Sequence, residues 1–311
     1  MGHPRRFRFA ADLHAPLPGM TWLDSVREVE QLGYSTLFVP DHFDEGLGPL
    51  AAIASAAAVT ERLRVGVLVL DCDFRHPAVV ARELATIDAI SGGRLEVGLG
   101  AGWKALDYER SGIPMDRPGV RVGRLIEHAA VLKGLWAGGS FSFTGEHYTI
   151  TDMPGSPAPH TPGGPPILVG GGAPRLLRWA GATADIVGVN ASIHSGEIDQ
   201  AAAQDALADR IDEKVAWVRE GAGERFDDIE LNAWLAVAEI TEDPAVVEGI
   251  AALFGTDAPS LRRSPLALVG AAGEVAEMLQ ERRERWGYSY HVIPGDKAHD
   301  FAPTVAALAG T

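Results

Sequence analysis

A single cysteine, Cys72, stands among the 311 residues, so no disulfide can form within the chain and a small oxidised scaffold held by cross-links is excluded. Lysine is almost as scarce: four of the 27 basic residues (Lys104, Lys133, Lys214 and Lys297), the other 23 being arginine. With a net charge of −15 and no basic cluster, the surface repels nucleic acid and anionic lipid, whose phosphates need grouped Lys and Arg. Neither is expected as a partner, and any phosphate site has to be local. Long apolar runs are missing as well. Stretches such as 51–58, broken by Ser55, fall far below the ~20 residues of a membrane span. Residues 1–8 lead into no apolar stretch of signal-peptide length, so the cytoplasm is the expected location.

What the chain does have is an ordinary globular balance, 46% hydrophobic and 22% charged, with glycine in excess: 36 residues, about 12% against ~7% in average usage. The glycines cluster after apolar segments, where strands end. Short β-branched runs bounded by turns predict strands at 7–13, 35–40, 65–70, 95–100, 167–171, 185–190, 229–237 and 288–293. Helical patterns separate them at 22–32, 50–59, 78–90, 120–136, 174–182, 204–220, 244–254 and 274–286. Eight strand–helix repeats argue for a parallel sheet closed into a (β/α)8 TIM barrel. The expectation is one barrel domain over 1–311 with two insertions. Residues 138–166, aromatic and then proline-rich, read as a hairpin and loop; 257–268 form a second insertion.

Barrel enzymes build their sites at the C-terminal ends of the strands. The short list there is Asp12, His14, Asp41, His42, Asp71, Asp73, Trp103, the 170–172 glycines, Asn190, Trp234 and His291. An imidazole at His42 can exchange a proton near neutral pH, with Asp41 placed to hold its tautomer or to accept from a ligand N–H. The alternative is a histidine that caps the next loop. Gly170, Gly171, Gly172 and Ala173 run into Pro174, the favoured first residue of a helix, so bare backbone N–H groups offer an anion site beside Arg175. The same glycines also suit a plain β-to-α turn. Gly98, Gly100 and Gly102 miss the dinucleotide spacing and read as close backbone approach to a flat ligand. A metal site from Asp12, His14 and His42 is disfavoured, because neither a His-x-His nor a His-x-x-x-His pair occurs and His14 precedes Pro16 and Pro18. No G-x-S-x-G elbow is present. Trp22, Trp136, Trp179 and Trp217 fall in helical patterns and read as packing residues.

Five ordered segments carry a further signal: YSTLFVPDHF at 34–43, DFRHPAVVARELATIDAISGGR at 73–94, VGLGAGW at 97–103, FSFTGEHY at 141–148 and PILVGGGA at 166–173. Together they resemble the luciferase-like monooxygenase superfamily of flavin and deazaflavin enzymes, in particular its branch using coenzyme F420. The resemblance covers nearly the whole chain. It implies a luciferase-like barrel that binds a deazaflavin or flavin, and an oxidoreductase moving a hydride between F420 and a small organic substrate.

By the same resemblance His42 would be the acid/base residue. The cofactor would be held by Asp41, Leu68, Val69, Asp71, Gly102, Trp103 and Asn190, with its phosphate at Gly170, Gly171, Gly172 and Ala173. A non-proline cis peptide is expected at Leu68-Val69, in a bulge backing the ring. Glucose-6-phosphate dehydrogenase members carry a glutamate where this chain has Trp103, which removes the case for a sugar-phosphate substrate. The alternatives are an FMN-dependent monooxygenase fed by a separate reductase and a non-catalytic flavin-binding barrel; a homodimer is compatible with either.

Overall fold

A computed structural model describes residues 5–43, 46–193 and 195–311. Among the described residues twelve strands run in chain order: β1 (Arg8–Asp12), β2 (Thr36–Val39), β3 (Arg64–Asp71), β4 (Leu95–Gly100), β5 (Ser140–Thr144), β6 (Thr149–Pro154), β7 (Ile167–Gly171), β8 (Ile186–Val189), β9 (Glu230–Trp234), β10 (Val237–Ile240), β11 (Ala267–Gly270) and β12 (Tyr288–Pro294). Eight of them close into a barrel in the order β1-β12-β9-β8-β7-β4-β3-β2. The chain has the expected closed (β/α)8 barrel fold. All eight barrel strands coincide with segments read from the sequence as β-branched runs. Strands such as β2 and β4 are buried at every position, and burial on both faces is what makes them near-continuous apolar runs.

Of the described residues, two compact units are distinguished. One holds those up to Leu13 together with Glu28–Thr36 and Val169–Thr311; the other holds His14–Arg27 and Leu37–Leu168. In the second unit β3 and β4 pair in parallel, with one extra residue on β3 between Val67 and Leu70. This is the expected bulge, and the Leu68-Val69 peptide within it is cis. Helix Pro77–Ser91 follows, opened by His76, whose Nδ1 accepts from the Ala78 amide at 3.3 Å. It ends on Gly92 in the left-handed conformation (φ 65°), where a side chain would be strained. Residues 138–166 contain the expected hairpin, β5 against β6 in antiparallel pairing. The Glu127 carboxylate pins its turn, accepting the amides of Glu146 at 2.7 Å, His147 at 2.9 Å and Tyr148 at 3.1 Å.

In the first unit the segment read as one strand over 229–237 is two. β9 stops at Trp234, and β10 pairs in parallel with β11 as a separate small sheet. The insertion at 257–268 supplies β11 and a helix, Ala258–Arg263, which packs with helix Pro244–Leu253 against that sheet through Val247, Ala251, Leu261, Ala267 and Val269. The helix expected over 204–220 starts at Ala208, after a separate turn of helix at Gln200–Asp205. A last helix, Ala298–Leu308, has no counterpart in the sequence reading. Among the described residues no helix is long and apolar enough to cross a membrane.

Candidate active site

The second unit gathers titratable side chains at the C-terminal ends of β2, β3 and β4. Past β2 the chain runs Pro40-Asp41-His42-Phe43. Asp41 is buried and held by Arg75, whose Nη2 donates to Oδ1 at 2.9 Å while Nη1 reaches Oδ2; the Asp71 amide donates to Oδ2 at 3.1 Å. Asp41 therefore does not orient His42, as the sequence suggested it could. Asp107 does. Its buried carboxylate lies 2.6 Å from His42 Nδ1 and accepts the Phe43 amide at 3.1 Å. The acceptor on Nδ1 fixes the neutral ring as the Nδ1–H tautomer and leaves the Nε2 lone pair as the basic position. The His42 side chain is 19% exposed, and Trp103 meets it edge-on, ring centres 5.5 Å apart and planes at 88°.

Asp71 ends β3 and is buried. Burial pushes its carboxyl up from 3.8 to about 7, against hydrogen bonds from the Asp73 amide and the Tyr108 hydroxyl, and with the charges of Asp73 and Asp41 adding to the rise. Tyr108 Oη sits 2.8 Å from Asp71 Oδ2 and 2.9 Å from Asp73 Oδ2. A hydroxyl has one proton and serves only one of these oxygens, so a carboxyl that keeps its own proton resolves the contact. Burial and the two carboxylates raise the Tyr108 phenol. Asp73 is further held by Arg124, which also reaches Asp116.

Gly98, Gly100 and Gly102 are explained within the same unit. A Cβ at Gly98 would collide with the Val67 carbonyl, at Gly100 with the Val69 side chain, and at Gly102 (φ 72°) with the Tyr108 hydroxyl and the Asp71 carboxylate. Close approach to β3 and to Tyr108 thus accounts for glycine here without a ligand. The bulge leaves Leu68 and Val69 partly exposed while Val67 and Leu70 are buried, an apolar surface at a strand end. Cys72 is buried, and burial with the neighbouring Asp73 and Asp71 charges raises its thiol out of the reactive range.

Other expected residues fall in the first unit. Gly170, Gly171 and Ala173 are partly exposed, Gly172 is buried, and Ala173 is the N-cap of helix Pro174–Thr183 without a side-chain cap. A Cβ at Gly171 would strike Leu176, and at Gly172 the backbone of 190–192. Asn190 is fastened through its backbone: its amide donates to Gly171 O at 2.9 Å and its carbonyl accepts from buried Lys214 Nζ at 2.8 Å. Lys214 also bonds Asp205, which accepts the Ser192 amide at 2.7 Å. Burial lowers the Lys214 ammonium; Asp205, although burial opposes it, is held below the ordinary carboxylate range by Lys214 and that amide. Trp234 Nε1 donates to Asp12 Oδ2 at 3.1 Å. His291 is fully buried against Phe7 and Phe9, and burial lowers its imidazole to about 3.

The profile of the luciferase-like monooxygenase family matches residues 5–290. The chain belongs to that family. Over 179 residues it is 33% identical to the F420-dependent glucose-6-phosphate dehydrogenase of Intrasporangium calvum, covering 52% of this chain and 51% of that protein. The chain thus spans about half the length of that relative. Among solved structures, the coenzyme F420 dependent tetrahydromethanopterin reductase from Methanopyrus kandleri superposes with a TM-score of 0.75 at 19% identity, over 97% of this chain and 99% of that one. The monooxygenase RslO1 from Streptomyces bottropensis gives 0.72 at 20%, over 97% and 98%. At such identities the likeness is one of fold.

The residues that sequence reasoning missed are Asp107, Tyr108, Arg75 and Arg124. Arg75 stood in the 73–94 motif, but nothing in A-L-D-Y-E-R-S marked Asp107, because its partner lies 65 positions away.

Proposed function

We propose that the protein is an F420-dependent oxidoreductase that moves a hydride between the deazaflavin and a small organic substrate, with His42 as proton donor and acceptor. The observation that carries this reading is the His42–Asp107 pair: an imidazole with one nitrogen on a buried carboxylate and the other available, in a chain of the luciferase-like family. Kinship with an F420-dependent dehydrogenase favours the deazaflavin over FMN. The residues present fit such a ring. Leu68 and Val69 offer partly exposed apolar surface, and Trp103 against His42 an aromatic one, as a flat aromatic system requires. Asp41, Asp71 and Gly102 would border the ring. Within the first unit the bare amides of the 170–173 turn, with the Asn190 amide bonded to Gly171, are a site of the kind that takes a phosphate.

When bound, the cofactor supplies the hydride chemistry. The chain's own residues orient the reactants and manage the proton. Asp107 holds the imidazole by Nδ1, so that Nε2 accepts a proton from an alcohol or returns one to a carbonyl. With Asp41 and Asp73 each paired to arginine and Trp103 in place of a glutamate, His42 is the group suited to that exchange.

The test is turnover of F420 with a panel of small alcohols and carbonyl compounds, by wild type and His42→Ala. The reading expects a fall of roughly 10²–10⁴-fold in the variant, with cofactor binding little changed. Full activity in His42→Ala would end the assignment. Tighter binding of FMN, with O₂ consumed when reduced FMN is supplied, would move the protein to the two-component monooxygenases.

A further inference from the structure

The first unit contains a buried side chain with nothing to bond. Asn232, at the centre of β9, is fully buried, yet neither its Oδ1 nor its Nδ2 has a hydrogen-bond partner among the described residues. A carboxamide removed from water without partners is strongly disfavoured, so the group is built for something that arrives. A second amide lies beside it. β8 pairs with β9 so that Gly188 stands opposite Asn232, and Asn190, two residues on, shares that face. Asn190 Oδ1 is likewise buried and unpartnered, although the Asn190 backbone is bonded on both sides.

Gly188 lies between the two. A Cβ there would come within 3.6 Å of both Asn190 Nδ2 and Asn232 Oδ1, and within 3.3 Å of Gly170 Cα. The missing side chain leaves against both amides a gap of about one carbon atom, tight on the Gly170 side. Below them the same face of β9 carries Glu230, already taken by Arg8 (Nε to Oε1, 2.9 Å), and above them Trp234, already bonded to Asp12. On that face of β9 the unpartnered side-chain atoms, among the described residues, are those of Asn232.

We infer that Asn232 and Asn190, with the space over Gly188, form a recognition subsite for a neutral edge that donates and accepts hydrogen bonds, the chemistry of a lactam or of a hydroxyl beside a carbonyl. A charged group is a poor occupant, because the carboxylate on that face of β9, Glu230, is already bonded to Arg8 and the two amides are neutral. The edge belongs either to the lactam of a flavin-type ring or to the substrate. The inference rests on the proposed function only for the choice of probes.

The experiment measures three quantities on Asn232→Leu, which keeps the volume and removes both polar atoms: melting temperature without ligand, the Kd of F420 by fluorescence titration, and KM for a substrate active in the panel. Because the amide has no protein partner, the melting temperature should hold or rise. A Kd about tenfold weaker assigns the subsite to the ring; an unchanged Kd with KM raised about tenfold assigns it to the substrate. Gly188→Ala, which keeps both amides and fills the space, should repeat whichever change is seen. The inference is overturned if neither constant moves, or if the melting temperature falls while both hold, since the amide then serves the fold through a buried water. Loss of F420 binding by the wild type itself would instead strike at the proposed function.

Discussion

Replacing Asp107 by asparagine changes one oxygen to NH₂ and tests whether this carboxylate acts through His42. In the wild type one carboxylate accepts both from His42 Nδ1, at 2.6 Å, and from the Phe43 amide, at 3.1 Å. The two donors address different oxygens, Oδ2 and Oδ1, and asparagine keeps only one of them. Exchanging a charge-assisted bond for a neutral one removes about 1–2 kcal/mol, roughly 5- to 30-fold in rate if the loss falls on the charged imidazole. If the new NH₂ faces Nδ1, the proton moves to Nε2 and the loss deepens toward that of His42→Ala, roughly 10²–10⁴-fold. Asp107→Asn should therefore fall between these bounds, with Kd for F420 near wild type. The double variant should be no slower than His42→Ala alone, because groups that act as one unit are not additive. Single-turnover F420 reduction on the four proteins reads this directly. Multiplying effects in the double variant would show that Asp107 acts independently of His42.

Asp71→Asn tests the raised carboxyl. Its folded value of about 7 exceeds 3.8, so between about pH 4 and 7 the folded state keeps a proton that the unfolded chain has released, and stability falls as pH rises through that window. Asparagine removes this loss, so the variant should gain on wild type by no more than ~4 kcal/mol from pH 4 to pH 8; a difference in melting temperature that is flat with pH would refute it. Ala173→Asp separates phosphate recognition from folding: an aspartate N-cap should stabilise helix Pro174–Thr183 by ~1 kcal/mol while repelling an anion. Its melting temperature should rise and its affinity for F420 fall, whereas unchanged affinity would place the phosphate elsewhere. Gly171 is a poorer choice for that test, because any side chain there strikes Leu176.

The barrel was legible because its strands are buried on both faces and its helices carry N-terminal signals such as Pro49, Pro77, Pro118 and Pro174. β9 and β10 read as one strand because Leu235 and Ala236 continue the apolar run, although the backbone leaves the barrel there: the Ala236 amide bonds Leu266 O. Helix Ala105–Ser111 is too short for a periodic signal, and with it went Asp107 and Tyr108. His42, at a strand end, could be named from sequence, but its partner could not, since the 65-residue separation carries no local pattern. Asn232 was invisible for a different reason: a polar residue two places after Glu230 looks like ordinary alternation until its lack of partners is seen.

The central claim, that this barrel serves a deazaflavin, is tested most directly by equilibrium fluorescence titration of the purified protein with oxidised F420 and, separately, with FMN. The account predicts saturable binding of F420 at least about tenfold tighter than FMN, a difference of ~1.4 kcal/mol. FMN binding as tight or tighter, or no binding of F420, would contradict it.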